Sequence, residues 1–390
     1  MHPFLSEALS HFEYTQQMRR DFHRFPELGF NEVRTAGIVE TELKALGLEP
    51  STGIAQTGVV ALIKGKRPGP VVLLRFDMDA LRMTEETGAE YASQNLGVMH
   101  ACGHDGHTAI GLTVARILHA HRQEFAGTVK LVFQPAEEGL GGAPRMITEG
   151  VLENPRPDFA LALHLWNEKP FGWVGVTPGA VMAAGEIIRL RIAGIGGHGA
   201  NPHLAIDPIL ASAQVIVGLQ SIVSRNVPPL KTAVVSITMV HGGEAFNIIP
   251  PQVEMQGTIR TFEPEVRETV EKRFREIVQG TAETYGCHAE IKLEYLTPAV
   301  MNDPALTARV QEVVRKIWPE CILDQNERSM GSEDMAYILK EIPGCFFFIG
   351  SADSLRNLNA PHHHPRFDFD EKALPHAVAL MTSAASDLLR

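Results

Sequence analysis

The sequence predicts a two-domain α/β protein: an α/β layer with a largely parallel, buried sheet, interrupted by an inserted unit of β-α-β-β-α-β order. Three observations carry this. Apolar runs recur at 59–63 (VVALI), 71–76 (VVLLRF), 129–133 (VKLVF) and 159–163 (FALAL), with helical-period stretches such as 107–120 between several of them. That alternation belongs to α/β layers with buried strands. The rhythm then changes over 186–295 and resumes its earlier form beyond it.

Within 186–295, EIIRLRIAG reads as a strand and LAIDPILASAQVIVGLQSIVSR as a helix. AVVSITMV and VEMQGTIRTF follow as strands, PEVRETVEKRFREIVQGTAETY as a helix and HAEIKLEY as a strand. This is the split, ferredoxin-like pattern. After it come a helix at 304–317, a helix opened by Ser332, an apolar strand at 345–350 (CFFFIG) and a terminal helix from 372. The expected division is therefore 1–185 and 296–390 as two parts of one domain, with 186–295 inserted between them.

A chain of 390 residues has room for two such domains. Its formal charge of −11, with no basic block, argues against nucleic-acid and anionic-membrane partners. The N-terminal stretch MHPFLSEALSHFEYTQQMRR contains no apolar targeting core, and no 18-residue apolar run occurs anywhere, so a cytoplasmic location is expected. Four cysteines are too few for a disulfide framework, and reduced thiols are the default.

Candidate chemistry falls just after the apolar runs, where open α/β sheets place their sites. MHACGHDGH (99–107) crowds thiol and imidazole into one loop, which suits a borderline divalent metal. It equally suits a Cys–His nucleophile, or a polar loop in which Asp105 or Thr108 caps a helix from His107. QPAEEG (134–139) places two carboxylates side by side; one can ligate a metal while the other serves as a base, although an isolated pair is more often an exposed acidic turn. His164 ends the ALALHLW strand, and APHHHPRFDFD (360–370) carries three consecutive histidines. Together these segments offer more ligands than the three needed by one zinc ion with an open position, and a two-metal hydrolytic centre accounts for the surplus.

MHACGHDGHTA, FQPAEEGLGGA, ALHLW, GIGGHGANPHLAIDP, QSIVSRNVPP, NIIP and GTIRT together closely resemble the M20 metallopeptidases, specifically their amidohydrolase branch. That branch includes hippurate hydrolases, N-acyl-amino-acid amidohydrolases and auxin-conjugate hydrolases. The resemblance implies a zinc-peptidase-like catalytic domain and makes the inserted ferredoxin-like unit a lid and dimerisation domain. It implies two divalent ions per subunit (zinc, manganese, cobalt or nickel), held by Cys102, His104, Glu138, His164 and one histidine of the 362–364 triplet. Matching HHPRF to the family pattern selects His363 over His362. Glu137 matches the general base acting on metal-activated water, and Asp79 an aspartate that orients a metal ligand. Asp77 stands where other branches keep a ligand histidine and is not carried over. His198, Asn247 and Arg260 match substrate-binding residues.

The expected reaction is hydrolysis of the amide of a small N-acyl amino acid to a carboxylic acid and a free amino acid, by a homodimer or homotetramer. A metal-dependent dipeptidase or carboxypeptidase of the same clan is the alternative. A thiol hydrolase built on Cys102 and a non-catalytic metal-binding protein are readings from other classes.

Overall fold

Strands Ala126–Gln134, Arg67–Asp77, Phe159–Pro170 and Gly344–Ala352 lie side by side in parallel at the centre of an eight-stranded sheet. Their unbroken apolar runs follow from burial on both faces: consecutive residues Val72, Leu73 and Leu74 are all inaccessible. This computed structural model describes residues 2–390. The chain divides into two units, and this sheet belongs to the one formed by the chain up to Val181 with Val300–Arg328 and Glu333–Arg390.

The margin beyond Ala126–Gln134 is not parallel. The VVALI run, within Gly58–Lys64, pairs antiparallel with Ala126–Gln134, and Ser51–Ile54 pairs antiparallel with it in turn. The reason is the length of the connection. Between Lys64 and Arg67 only residues 65 and 66 are available, whereas a parallel return needs a crossover of roughly a dozen residues. The chain instead crosses the end of Ala126–Gln134 directly, with Gly65 N donating to Gly127 O at 2.8 Å. Gly127 permits this crossing, since a Cβ there would lie 1.9 Å from Pro70 O.

Helix His104–Ala120 packs on this sheet where Gly111 meets Phe76 and Phe133, and its Ile110, Val114, Ile117 and Leu118 are all inaccessible. It starts three residues earlier than expected, with left-handed Gly103 at its N-cap (φ 91°). Neither Asp105 nor Thr108 caps it. Asp105 Oδ2 instead accepts from Arg19 Nε at 2.8 Å and lies 2.8 Å from His23 Nδ1, while Thr108 Oγ1 donates to Asp77 O. Arg19, wholly buried on helix Phe12–Arg24, also pairs with Asp368 at 2.7 Å and Glu371 at 3.2 Å. One guanidinium thus ties the first helices, the helix His104–Ala120 and the segment before the last helix together. Removing it strands buried carboxylates, so Arg19→Met is expected to lower stability by about 3–5 kcal/mol; denaturant unfolding measures this. The helix expected from Ser332 begins at Met335, because Glu333 and Asp334 are held in side-chain hydrogen bonds before it.

The second unit comprises Met182–Ala299 and Ser329–Ser332. Its four-stranded antiparallel sheet has Ala184–Ala193 between His288–Thr297 and Gln252–Thr261, with Ala233–His241 at the edge. Alternation along Ala184–Ala193 buries Ile188, Leu190 and Ile192 against Val215 and Leu219 of helix Pro208–Ser221 and Phe274 and Val278 of helix Pro264–Thr284. The first of these helices is shorter than its apolar period suggests. Asp207 caps it, accepting from Ile209 N at 2.8 Å, and a π-helical turn over Ile222–Asn226 ends it. Ser329–Ser332 joins this unit because Ala183 N donates to Ser329 O and Gly331 O, at 3.1 and 2.9 Å. Among the described residues no helix is long and apolar enough to cross a membrane.

Candidate metal centre

The segments singled out in the sequence meet at the C-terminal ends of the parallel strands. Asp79, two residues past strand Arg67–Asp77, is their meeting point. Its backbone oxygen and Oδ1 accept from His104 Nδ1 at 2.9 and 3.2 Å, and its Oδ2 accepts from Glu138 N at 2.9 Å. One aspartate thereby sets the MHACGHDGH loop against the QPAEEG turn. That turn folds tightly on itself: Gly142 N donates to Ala136 O at 3.0 Å, and a Cβ at Gly142 would fall 1.7 Å from Pro135 O.

Two ligand sets share the Cys102 thiol. In Cys102–His104–His164 and in Cys102–Glu138–His363 the potential ligand atoms all lie within 4.8 Å of one another. His164 Nδ1 donates to Leu165 O at 2.7 Å, which leaves its Nε2 lone pair facing Cys102 Sγ at 3.5 Å. His104 is arranged in a similar way: Asp79 takes Nδ1, and among the described residues the buried Nε2 has no hydrogen-bond partner, Asp77 Oδ2 lying 3.7 Å away. An imidazole whose Nδ1–H is anchored and whose Nε2 is left over is the arrangement metal-binding histidines adopt. Burial and the neighbouring imidazoles hold His164 well below the usual histidine range, in the neutral form a ligand requires. The mixture of thiol, imidazole and carboxylate suits zinc and its first-row neighbours.

The histidine triplet separates into three environments. His363, with φ 61°, faces Glu138, its Nε2 lying 3.1 Å from Oε1, and its backbone N donates to Ala101 O at 2.8 Å. Hydrogen bonding to Cys102 and to Glu138 pushes its imidazolium up to about 10; a divalent cation competes with that proton for the same atoms. His362 turns away, its Nε2 donating to Leu165 O at 3.0 Å and its ring 4.9 Å from that of Trp166. His364 Nδ1 accepts from Arg366 N.

Glu137 is 9% exposed and stands beside His104 and Glu138. Among the described residues its carboxylate has one hydrogen bond, a long one from Asp334 N at 3.4 Å. Burial, with Glu333, Glu138 and Asp334 nearby, holds its carboxyl well above the usual carboxylate range, which suits a group that must accept a proton and release it again. Burial also pushes the Cys102 thiol up, the opposite of what an unaided thiolate nucleophile needs.

His198 and Asn247 are brought together in the second unit. Strands Gly197–His198 and Ile248–Ile249 form a small ribbon, and Gly199 N donates to Asn247 O at 2.8 Å. His198 Nδ1 accepts from Ala200 N at 3.0 Å, which leaves its exposed Nε2 as a donor. Arg260 lies on a different sheet of that unit, opposite Gly185. Its half-buried guanidinium contacts Thr258 Oγ1 and Ile259 O and, among the described residues, no carboxylate.

Other buried polar residues surround the centre, and of these Arg75, Glu333 and Asp334 are ones the motifs do not single out. His107 Nδ1 lies 2.6 Å from Asp77 Oδ1, and its Nε2 accepts from Leu165 N, next to His164. Arg75, Glu333 and Asp334 form a buried ionic cluster against Glu137. The available hint was Arg75 itself, a charge inside the otherwise apolar run VVLLRF.

Comparison with known proteins identifies the family. The model of peptidase family M20/M25/M40 matches residues 73–387. The N-acetylcysteine deacetylase of Bacillus subtilis is 41% identical over 358 residues, 92% of each chain. The IAA-amino acid hydrolase ILR1-like 2 of Arabidopsis thaliana is 38% identical over 384 residues, 97% of this chain and 86% of that one. The crystal structure of the Bacillus subtilis YXEP protein, described as a dinuclear metal-binding peptidase of the M20 family, superposes with a TM-score of 0.84 at 36% identity. It covers 98% of this chain and 99% of its own. With a family match over most of its length and relatives of this identity, the chain belongs to peptidase family M20/M25/M40 and is a hydrolase that uses divalent metal.

Proposed function

We propose that this hydrolase cleaves the amide bond of N-acyl amino acids, giving a carboxylic acid and the free amino acid. The observation that carries the reading is the pair of ligand sets joined at Cys102, with Glu137 beside them. The relatives named for N-acetylcysteine and for IAA–amino acid conjugates support the substrate class.

Cys102, His104 and His164 would hold one divalent ion and Cys102, Glu138 and His363 the other; zinc, manganese, cobalt and nickel are all compatible with these donors. Bound there, the ions supply Lewis acidity that polarises the amide carbonyl and acidifies water. Asp79 keeps the His104 ring and the Glu138 backbone in place throughout. Glu137 takes the proton of the attacking water and delivers it to the leaving nitrogen as the C–N bond breaks.

The family resemblance assigns the second unit the role of a ferredoxin-like lid and dimerisation domain, in a cytoplasmic homodimer or homotetramer. In that assignment His198 and Asn247 are substrate-binding residues, and an N–H such as His198 Nε2–H is a donor suited to an oxygen gaining charge. Arg260, which has no carboxylate partner among the described residues, clamps the substrate's α-carboxylate. Arg260→Ala is expected to raise KM by roughly 10–100-fold with kcat largely kept, the range for losing a hydrogen bond to a charged group. The effect should vanish for a substrate whose carboxylate is replaced by a carboxamide, and steady-state kinetics on the matched pair checks it.

A metal-reconstituted panel of benzoyl-, acetyl- and aminoacyl-glycine tests the reading, with release of free glycine as the signal. Turnover of the acyl compounds, abolished by EDTA, is expected. Preference for the aminoacyl compound would move the assignment to a dipeptidase. Activity that survives EDTA and is lost to iodoacetamide would move it to a thiol hydrolase.

A further inference from the structure

Five groups of side chains among the described residues have the ligand atoms and spacing to hold a cation. Three of them, Cys102–His104–His164, Cys102–Glu138–His363 and His104–Glu137–Glu138, form the proposed metal centre and its base. The other two, Asp77–His104–His107 and Glu137–Glu333–Asp334, would each draw in a residue needed by the first three, His104 in one case and Glu137 in the other.

Arg75 discriminates between them. Its guanidinium, 1% exposed, lies 2.5 Å from Asp77 Oδ2, 2.8 Å from Glu333 Oε1 and 3.2 Å from Asp334 Oδ1. It therefore pairs with carboxylates of both unwanted groups and with no member of the other three. The fork is held in register by Gln134, whose Oε1 accepts from Nε at 2.9 Å. The remaining oxygens are also occupied. His107 Nδ1 sits on Asp77 Oδ1, Met335 N donates to Glu333 Oε1, and Ala143 N and Gln134 Nε2 donate to the two oxygens of Asp334. Glu137 is the exception: among the described residues its carboxylate has only the long contact from Asp334 N.

We propose that Arg75 is a resident cation that denies metal ions the Asp77 and Glu333–Asp334 carboxylates, confining them to the Cys102-centred ligands and leaving Glu137 unligated. The physical argument is charge. These carboxylates are buried together, and a buried acidic cluster must be neutralised by something. A guanidinium does so with a fixed fork and cannot give up its proton, and it accepts no further ligand. A divalent ion in its place would complete its coordination with the next available oxygens, and those of Glu137 are the unengaged ones. Arg75 is thus a positioning residue for the metal centre, acting through the carboxylates it occupies. The inference rests on the two-ion reading above.

Counting ions tests it. Wild-type protein dialysed against increasing manganese and analysed for metal per chain is expected to hold two ions, with hydrolysis reaching a plateau. Arg75→Gln is expected to take up a third, and its activity should fall at least about tenfold as that ion binds, since general-base catalysis is typically worth more than that. Arg75→Gln combined with Glu333→Gln should return to two ions. Arg75→Lys, which keeps the charge, should also hold two. Two ions in Arg75→Gln with no loss at high manganese would overturn the inference, as would three ions in Arg75→Lys. If Arg75→Gln does not fold, the wild type still decides: a third manganese ion that disappears in Glu333→Gln would show that Arg75 excludes nothing. Fewer than two ions in the wild type would strike the two-ion reading instead.

Discussion

Glu137→Ala is expected to abolish nearly all turnover while the protein keeps its metal. General acid–base catalysis contributes typically 10²–10⁴-fold, so kcat should fall by about that factor. The separation of the two effects follows from geometry. Glu137 belongs to neither of the ligand sets joined at Cys102, and among the described residues its side chain holds no other segment in place beyond one long contact from Asp334 N at 3.4 Å. Its loss therefore removes the proton carrier and little else. Metal analysis beside steady-state kinetics on an N-acyl amino acid gives the answer, and a variant that still hydrolyses would remove Glu137 from the mechanism. Glu138→Ala should behave differently, losing metal along with activity, because that carboxylate faces Cys102 and His363.

Cys102→Ala should have the broadest effect of any single ligand change. The thiol is common to Cys102–His104–His164 and Cys102–Glu138–His363, so one substitution leaves each with two donors. Losing an outer partner of a ligand already costs roughly 10–100-fold in metal affinity, and losing the ligand shared by both ions should exceed the upper end of that range for each. Titration with a competing chelator would measure it. Two ions bound at wild-type affinity would refute the shared-thiol arrangement. Folding should survive, since Asp79 organises His104 and the Glu138 turn without help from Cys102.

What could be read from the sequence was what local pattern controls. The parallel strands were visible because residues such as Val72, Leu73 and Leu74 must be apolar on both faces. The strand ends DMDAL, QPAEEG and HLW marked where chemistry would gather. Less visible was anything decided by partners distant in the chain. Asp105 reads as a helix cap from its neighbours, yet it serves Arg19, 86 positions away. Arg75 meets Glu333 across 258 positions, and no periodicity in either segment announces the other. The antiparallel setting of VVALI escaped for a different reason: strand direction lies in the length of the connection, whereas apolar pattern is blind to it.

His362, His363 and His364 look like three chances at one ligand, but the backbone gives them no redundancy. The left-handed conformation at His363 (φ 61°) and its hydrogen bond to Ala101 O set each successive ring in a different direction. One faces the Leu165 carbonyl, one the Glu138 carboxylate, and one the backbone of Arg366. A neighbour cannot stand in for a missing His363 without rotating the turn and giving up its own bond. Deleting or inserting a residue here would leave the number of histidines adequate and their addresses wrong. In this loop identity is assigned by position along the turn, not by abundance.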